Sequence, residues 1–155
     1  MLTKSEEVFL GMAVRAACDA GHVFPSMAGC EAVIDSYWGK SQLTKYNNLF
    51  RMKQHEQPIY KTVQLANCDF EADLSRERAA WVFYPDLKAC FRDRMKTLHL
   101  LAGIHTDYAL ALAAHSANEF VREISRTWST DLERAAKCIA LHNSQQNVIR
   151  KALNC

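Results

Sequence analysis

Apolar residues recur at spacings of three and four along most of the chain, and one block, residues 55–85, breaks that rhythm. Helical spacing over so much of the chain restricts it to packed helices with one insertion. In residues 4–20, Val8, Phe9, Met12, Ala16 and Ala17 build one stripe, and Gly21 stands where a helix C-cap belongs. After the connector His22–Pro25, Ser26 is placed to cap a second helix that ends at Asp35 or Ser36. Met27, Cys30, Val33 and Ile34 form its inward side. A break near Gly39 and a turn over Ser41–Tyr46 follow. From about Asp86, the positions Leu87, Cys90, Phe91, Met95, Leu98 and Leu101 predict a long helix. Tyr108–Ala114, Ala117–Ser125 and Leu132–His142 predict three more, the last capped by Thr130 or Asp131. The tail, about 143–155, reads as polar and then weakly amphipathic.

The exceptional block carries period-two stretches. Ile59–Leu65 alternates and contains Tyr60, Thr62 and Val63, while Ala80–Tyr84 is a second apolar and aromatic run. Both suit strands. The charged stretch Asp69–Arg78 between them is either a hairpin arm or a disordered tip. The expected fold class is therefore mainly α (α+β), a single domain over 1–155 with a small β-lobe at about 55–85 walling one side of a cleft.

Composition excludes several alternatives. Five glycines and three prolines are too few for the turns of a β-sandwich. The 19 basic and 17 acidic residues give a formal charge of +2, without the concentrated basic face of a nucleic-acid binder. No run approaches the ~20 apolar residues of a membrane span. No secretory signal is visible, so the expectation is cytoplasmic synthesis or a leader missing from this sequence. The cysteines, Cys18, Cys30, Cys68, Cys90, Cys138 and Cys155, form no C-x-x-C pair. Cys18, Cys30, Cys90 and Cys138 fall in helical patterns and are expected to be free thiols. His99, His105 and His115 do not repeat on one helical face, so no metal and no other cofactor is implied. Arg122, Arg126 and Arg134 alternate with Glu123 and Glu133 and read as a solvated mixed face.

The carboxylate that ends the second predicted helix, Asp35, is crowded by Ile34, Tyr37 and Trp38, and Ser36 offers it a hydrogen bond. Glycoside cleavage uses a protonated acid held among apolar groups, with a second group to activate water or stabilise the cationic transition state. An aspartate at a helix end is more often a solvated or locally capped residue.

The run Ala32-Val33-Ile34-Asp35-Ser36-Tyr37-Trp38-Gly39-Lys40-Ser41 resembles the signature of the glucosaminidase family, lysozyme-like glycoside hydrolases. There an Ala, apolar or small residues, a catalytic Glu and a Ser or Thr precede an aromatic-Gly-x-Ser close. Leu43 to Lys53, with Asn47-Asn48-Leu49-Phe50, resembles the family's "L-A-x-x-x-N-N-L-F-G-x-K". Trp81-Val82-Phe83-Tyr84 followed by Phe91-Arg92-Asp93 resembles "F-R-x-Y … F-x-D", and Thr127 to Asp131 with Ala135 resembles "Y-A-T-D-P-x-Y-A".

The resemblance implies a lysozyme-like fold and hydrolysis of the β-1,4 bond after N-acetylglucosamine in peptidoglycan strands, without a cofactor. It makes Asp35 the general acid and Asp69, or nearby Glu71, the second carboxylate in place of the family's β-lobe Glu. Arg51 stands where the family has glycine and Val82 where it has arginine. The shorter acids, Arg51 and Val82 leave a second reading open, a weak or inactive relative that binds glycan or a protein partner. Trp38 and Trp128 either stack on sugars or fill the core. Asn47 and Asn48 either bind N-acetyl groups or brace the turn, with the brace favoured for one of them. Ser36, Tyr60 and Arg51 are expected to contact substrate at the cleft, while Tyr84 is weighed between packing and contact, with packing favoured. An active protein would work at the bacterial cell wall or periplasm after phage-type or non-classical export.

Overall fold

The computed structural model describes residues 1–53, 61–66 and 78–154, with side chains at 61, 63–66, 78 and 79 left aside. Helix α1 (Lys4–Asp19) starts with a capping box: Thr3 accepts from the Glu6 N–H, and the Glu6 carboxylate accepts from the Thr3 N–H. Its Leu10, Ala13, Val14 and Ala17 are fully buried.

Helix α2 (Pro25–Asp35) packs on α1 more extensively than any other helix does. Gly29 makes this possible, since a Cβ there would lie 2.5 Å from Val14 Cγ2 and 2.8 Å from the Val14 backbone. The cap of α2 differs from expectation. Phe24, in the left-handed region, is the N-cap, and Pro25 sits in the first turn, where no N–H is needed. The Ser26 hydroxyl meets His142 Nε2 at 3.0 Å instead of capping.

After a 3-10 turn over Gln42–Tyr46, strands β1 (Lys61–Ala66) and β2 (Arg78–Phe83) pair antiparallel, Lys61 opposite Phe83 and Ala66 opposite Arg78. Lys53 adds a bridge to Trp81. Helices α3 (Leu87–Ala102), α4 (Thr106–Leu112), α5 (Ala117–Trp128), α6 (Arg134–Ser144) and α7 (Gln146–Leu153) complete the fold. The mainly helical architecture with a small β insertion matches the sequence expectation.

The tail departs from it, because Gln146–Leu153 is a helix that packs Ile149 and Ala152 inward and docks on α1. Helix α6 starts later than expected, at Arg134 after Glu133, and Asp131 instead accepts from the Glu133 N–H. The four described cysteines, Cys18, Cys30, Cys90 and Cys138, are free thiols. Burial pushes Cys30 and Cys90 up to about 12 and raises Cys138 as well, so these three behave as small apolar side chains.

Candidate active site

The C-terminal end of α2 opens into a groove of about 1040 Å³ between the helices and the β insertion. Asp35, Trp38, Arg51, Trp81, Trp128 and Arg134 are among the residues that line it. The chain leaves α2 through an unusual backbone. Tyr37, Trp38 and Gly39 have φ of 52°, 58° and 75°, three consecutive left-handed residues. Only glycine adopts that region without strain, so the surroundings must hold the turn.

Ser36 is fully buried and does much of this holding. Its hydroxyl accepts from the Gly39 N–H at 3.1 Å and donates to the Val33 carbonyl at 3.4 Å. Ser36 is thus a brace and not the sugar contact expected from its position. Gly39 also lies against the Phe9 ring, 3.1 Å from where a Cβ would stand.

Asp35 has a side-chain exposure of 11% and is gripped from behind. Arg134 donates to it twice, from Nε to Oδ1 at 2.8 Å and from Nη2 to Oδ2 at 2.8 Å. The same guanidinium donates from Nη1 to Ser125 Oγ at 2.8 Å and lies 3.0 Å from Glu31 Oε1. Glu31 in turn accepts both terminal nitrogens of Arg94, at 2.6 and 2.8 Å. Glu31, Arg94 and Arg134 are each at most 1% exposed.

Burial opposes the Glu31 charge most strongly, but Arg94 and Arg134 together outweigh it and hold Glu31 below the ordinary carboxylate range. Arg94 also lies over the rings of Phe50 and Trp128, at 4.1 and 4.9 Å. A buried chain of charges, Arg94–Glu31–Arg134–Asp35, therefore fixes the candidate acid in the groove.

Sequence reasoning missed most of this network. Glu31 was overlooked, and Arg134 is buried rather than on a solvated face. One signal was available. Glu31 and Asp35 are four residues apart on one helix, so they share a face. In the "Y-A-T-D-P-x-Y-A" segment, moreover, Arg134 falls where that pattern has its second tyrosine.

The other expected residues divide cleanly. Trp38, Trp128 and Arg51 line the groove. Both tryptophans also pack against the core, and Trp128 meets Phe50 and Tyr108 edge-on. Asn48 is fully buried and acts purely as a brace. Its amide donates to the Met52 and Val82 carbonyls at 2.9 and 3.0 Å, and its oxygen accepts from the Met52 N–H at 2.8 Å. Asn47 takes a left-handed backbone and donates to the Tyr84 carbonyl at 3.0 Å. Both asparagines thus tie the turn to the β insertion.

Tyr84 is fully buried, with its hydroxyl donating to Asp93, and it takes no part in the groove. Asp69, Glu71 and Tyr60 lie outside the described residues.

The site thus sets a carboxylate at a helix end beside aromatic rings in one groove. Residues 11–147 match the family described as "Glucosaminidase: Mannosyl-glycoprotein endo-beta-N-acetylglucosaminidase". A probable N-acetylmuramidase of Lactococcus lactis subsp. cremoris is 29% identical over 126 residues, which cover 74% of this chain and 28% of that protein. The chain thus spans well under a third of that relative's length.

Among solved structures, the catalytic domain of the autolysin Auto from Listeria monocytogenes superposes with a TM-score of 0.71 at 21% identity, covering 97% of this chain and 89% of that one. The glycoside hydrolase domain of FlgJ from Salmonella typhimurium gives 0.70 at 17% identity, covering 97% and 92%. A peptidoglycan hydrolase of Sphingomonas sp. A1 gives 0.68 at 20% identity, covering 95% and 92%. The solved structures share the fold, and the family match over residues 11–147 shows that the chain belongs to the glucosaminidase family.

Proposed function

We propose that the chain is a peptidoglycan hydrolase that cleaves the β-1,4 bond after N-acetylglucosamine, with Asp35 as the general acid. The observation that carries this is the place of Asp35, at the end of α2 and lining the same groove as Trp38 and Trp128. An acid there meets the glycosidic oxygen of a strand lying along the groove, and aromatic faces suit the apolar faces of sugar rings. The second carboxylate is assigned to Asp69, or Glu71, on the family resemblance alone.

Proton donation makes one demand on this geometry. Both Asp35 oxygens accept hydrogen bonds from Arg134. A protonated carboxyl can keep one of them and must turn its other oxygen toward the leaving group. Aspartate also reaches about 1.5 Å less far than the family's glutamate, and a misplacement of about 1 Å can cost on the order of a hundredfold in rate.

The double hold by Arg134 also favours the second reading, a glycan-binding relative with little turnover. One experiment separates the two. Purified cell walls are incubated with wild type, Asp35→Asn and Asp35→Glu, and new reducing ends are identified after borohydride reduction. Hydrolysis predicts reduced N-acetylglucosamine ends from wild type, about a hundredfold fewer from Asp35→Asn, and more from Asp35→Glu. Equal release by wild type and Asp35→Asn removes Asp35 as the acid. Binding of walls with no release by any variant leaves the second reading.

A further inference from the structure

Part of the apolar stripe read from the sequence of α1 is left uncovered by the fold. The helix buries Leu10, Ala13, Val14 and Ala17, and turns Val8 and Met12 outward at 52% and 53% exposure. The two lie one turn apart on the same face. They line a second groove, of about 750 Å³, that α1 forms with α7 and the start of α3. Leu87 and Val148 add to its apolar lining, and no described residue lines both this groove and the one at Asp35. Single exposed apolar side chains need no explanation, whereas an apolar groove rimmed by charge marks a place where another surface docks.

The charges along the same face indicate what docks there. Lys4 and Glu7 stand toward the N-terminal end of α1, Arg15 and Asp19 toward its C-terminal end, and all four line the groove. Within the chain Lys4 pairs with Glu7 at 3.7 Å and Arg15 with Asp19 at 2.8 Å, on side chains at least 38% exposed. Half-exposed pairs of this kind are weak and can extend into a wider network of charges.

Read along the helix, the face runs basic, acidic, apolar, apolar, basic, acidic: Lys4, Glu7, Val8, Met12, Arg15, Asp19. A second copy laid parallel to it would set like charge against like. Laid antiparallel about a two-fold axis near Gly11, it sets Lys4 of each copy opposite Asp19 of the other and Glu7 beside Arg15, with Val8 and Met12 meeting in the middle. A two-fold contact presents one patch to itself, so each of these pairings occurs twice. We propose that the exposed face of α1 is a self-complementary docking surface on which a second copy of this chain pairs antiparallel. The groove at Asp35 takes no part in the contact.

Sedimentation velocity of the purified chain over a range of concentrations is expected to show a species of twice the 17.6 kDa chain mass, less abundant as salt is raised. Met12→Lys places a charge at the centre of the contact on a side chain that folding leaves half exposed, and should leave the chain monomeric at the same concentrations. Lys4→Glu brings two carboxylates together at each end of the contact, and Asp19→Lys two ammonium groups, so either should weaken dimerisation about tenfold. Both substitutions add the charge that the helix dipole favours at that end of α1, so the fold itself is not weakened, and circular dichroism melts check this.

A one-to-one mixture of Lys4→Glu and Asp19→Lys restores opposite charges at both ends and should dimerise about as well as wild type, an outcome that damage to the fold cannot produce. Wild type that stays monomeric at every concentration overturns the proposal, as does a dimer that Met12→Lys leaves intact. A mixture no tighter than its two components overturns the antiparallel pairing.

Discussion

Replacing Glu31 by glutamine should destabilise the fold far more than its one-atom change suggests. Glu31 accepts from Arg94 at 2.6 and 2.8 Å and lies 3.0 Å from Arg134, with none of the three side chains more than 1% exposed. Glutamine is neutral and turns an NH2 donor toward guanidinium donors. Arg94 then keeps its charge in the interior without a carboxylate, and Arg134 keeps Asp35 as its carboxylate partner beside the Ser125 hydroxyl. Breaking a buried pair by removing one partner costs about 3–5 kcal/mol. For a chain of this size each kcal/mol lowers Tm by roughly 3 °C, so Glu31→Gln should melt about 9–15 °C below wild type. Thermal unfolding followed by far-UV circular dichroism at pH 7 reads this directly. Glu7→Gln is the control, because the Lys4–Glu7 pair spans 3.7 Å on the surface, and such pairs contribute under about 1 kcal/mol. If Glu31→Gln melts within about 3 °C of the control, the buried network does not hold the fold as argued.

Other expectations follow from the same coordinates. Burial, then the nearby Arg94 charge, pushes His22 down to about 3. The unfolded chain therefore takes up a proton below about pH 6.5 that the native state refuses, and stability should fall as pH drops from 6.5 toward 3, by about 3 kcal/mol at pH 4.5. Glu31, held low, adds a further loss below its ordinary carboxylate value; a Tm that stays flat between pH 6.5 and 4.5 refutes the buried neutral histidine. Gly29→Ala forces a Cβ to 2.8 Å from the Val14 backbone and should lower stability by about 1–3 kcal/mol or more in urea unfolding. Gly11→Ala, with only Val148 Cγ1 at 3.9 Å, should raise it by about 0.5–1 kcal/mol, and equal effects of the two would discount the close approach of α1 and α2. Asn48→Ala removes all three of its bonds to Met52 and Val82, so it should cost about 3 kcal/mol; a loss under about 1 kcal/mol in urea unfolding would refute the brace.

How much of this was legible in the sequence depended on whether the signal was local. Helix periodicity located α2 and α3 by their buried stripes; in α1 it found the helix but not its inward face, since Val8 and Met12 of the expected stripe are exposed while Leu10, Ala13 and Val14 are buried beside Ala17. The Asn47-Asn48-Leu49-Phe50 motif located the turn between the helices and the β insertion, although it could not say that both asparagines face inward to backbone carbonyls. The cap of α2 was misplaced because Pro25 fits a first turn as well as Ser26 fits a cap, and His142, 116 residues away, takes the serine hydroxyl. The α7 helix was read as tail because its stability comes from docking Ile149 and Ala152 on α1, a contact with no local trace.

Arg134 is the most instructive miss, because alternation with glutamates made it look solvated while its partners lay elsewhere in sequence. Asp35 is 99 residues away. Burial of an arginine requires carboxylates to meet it, and α2 supplies two of them on one face, Glu31 and Asp35. The shortened acid and the arginine at a tyrosine position meet in one bidentate pair. A glutamate at position 35 would push its carboxyl further into the groove and out of line with Nε and Nη2 of Arg134. An aspartate with the tyrosine of the pattern at 134 would lose both donors that now orient it. The pair should therefore be coupled. Asp35→Glu and Arg134→Tyr made together should melt closer to wild type than the sum of the two single losses, by at least about 1 kcal/mol in a double-mutant cycle. Strict additivity would mean that the two positions changed independently and that Arg134 has no part in placing the acid.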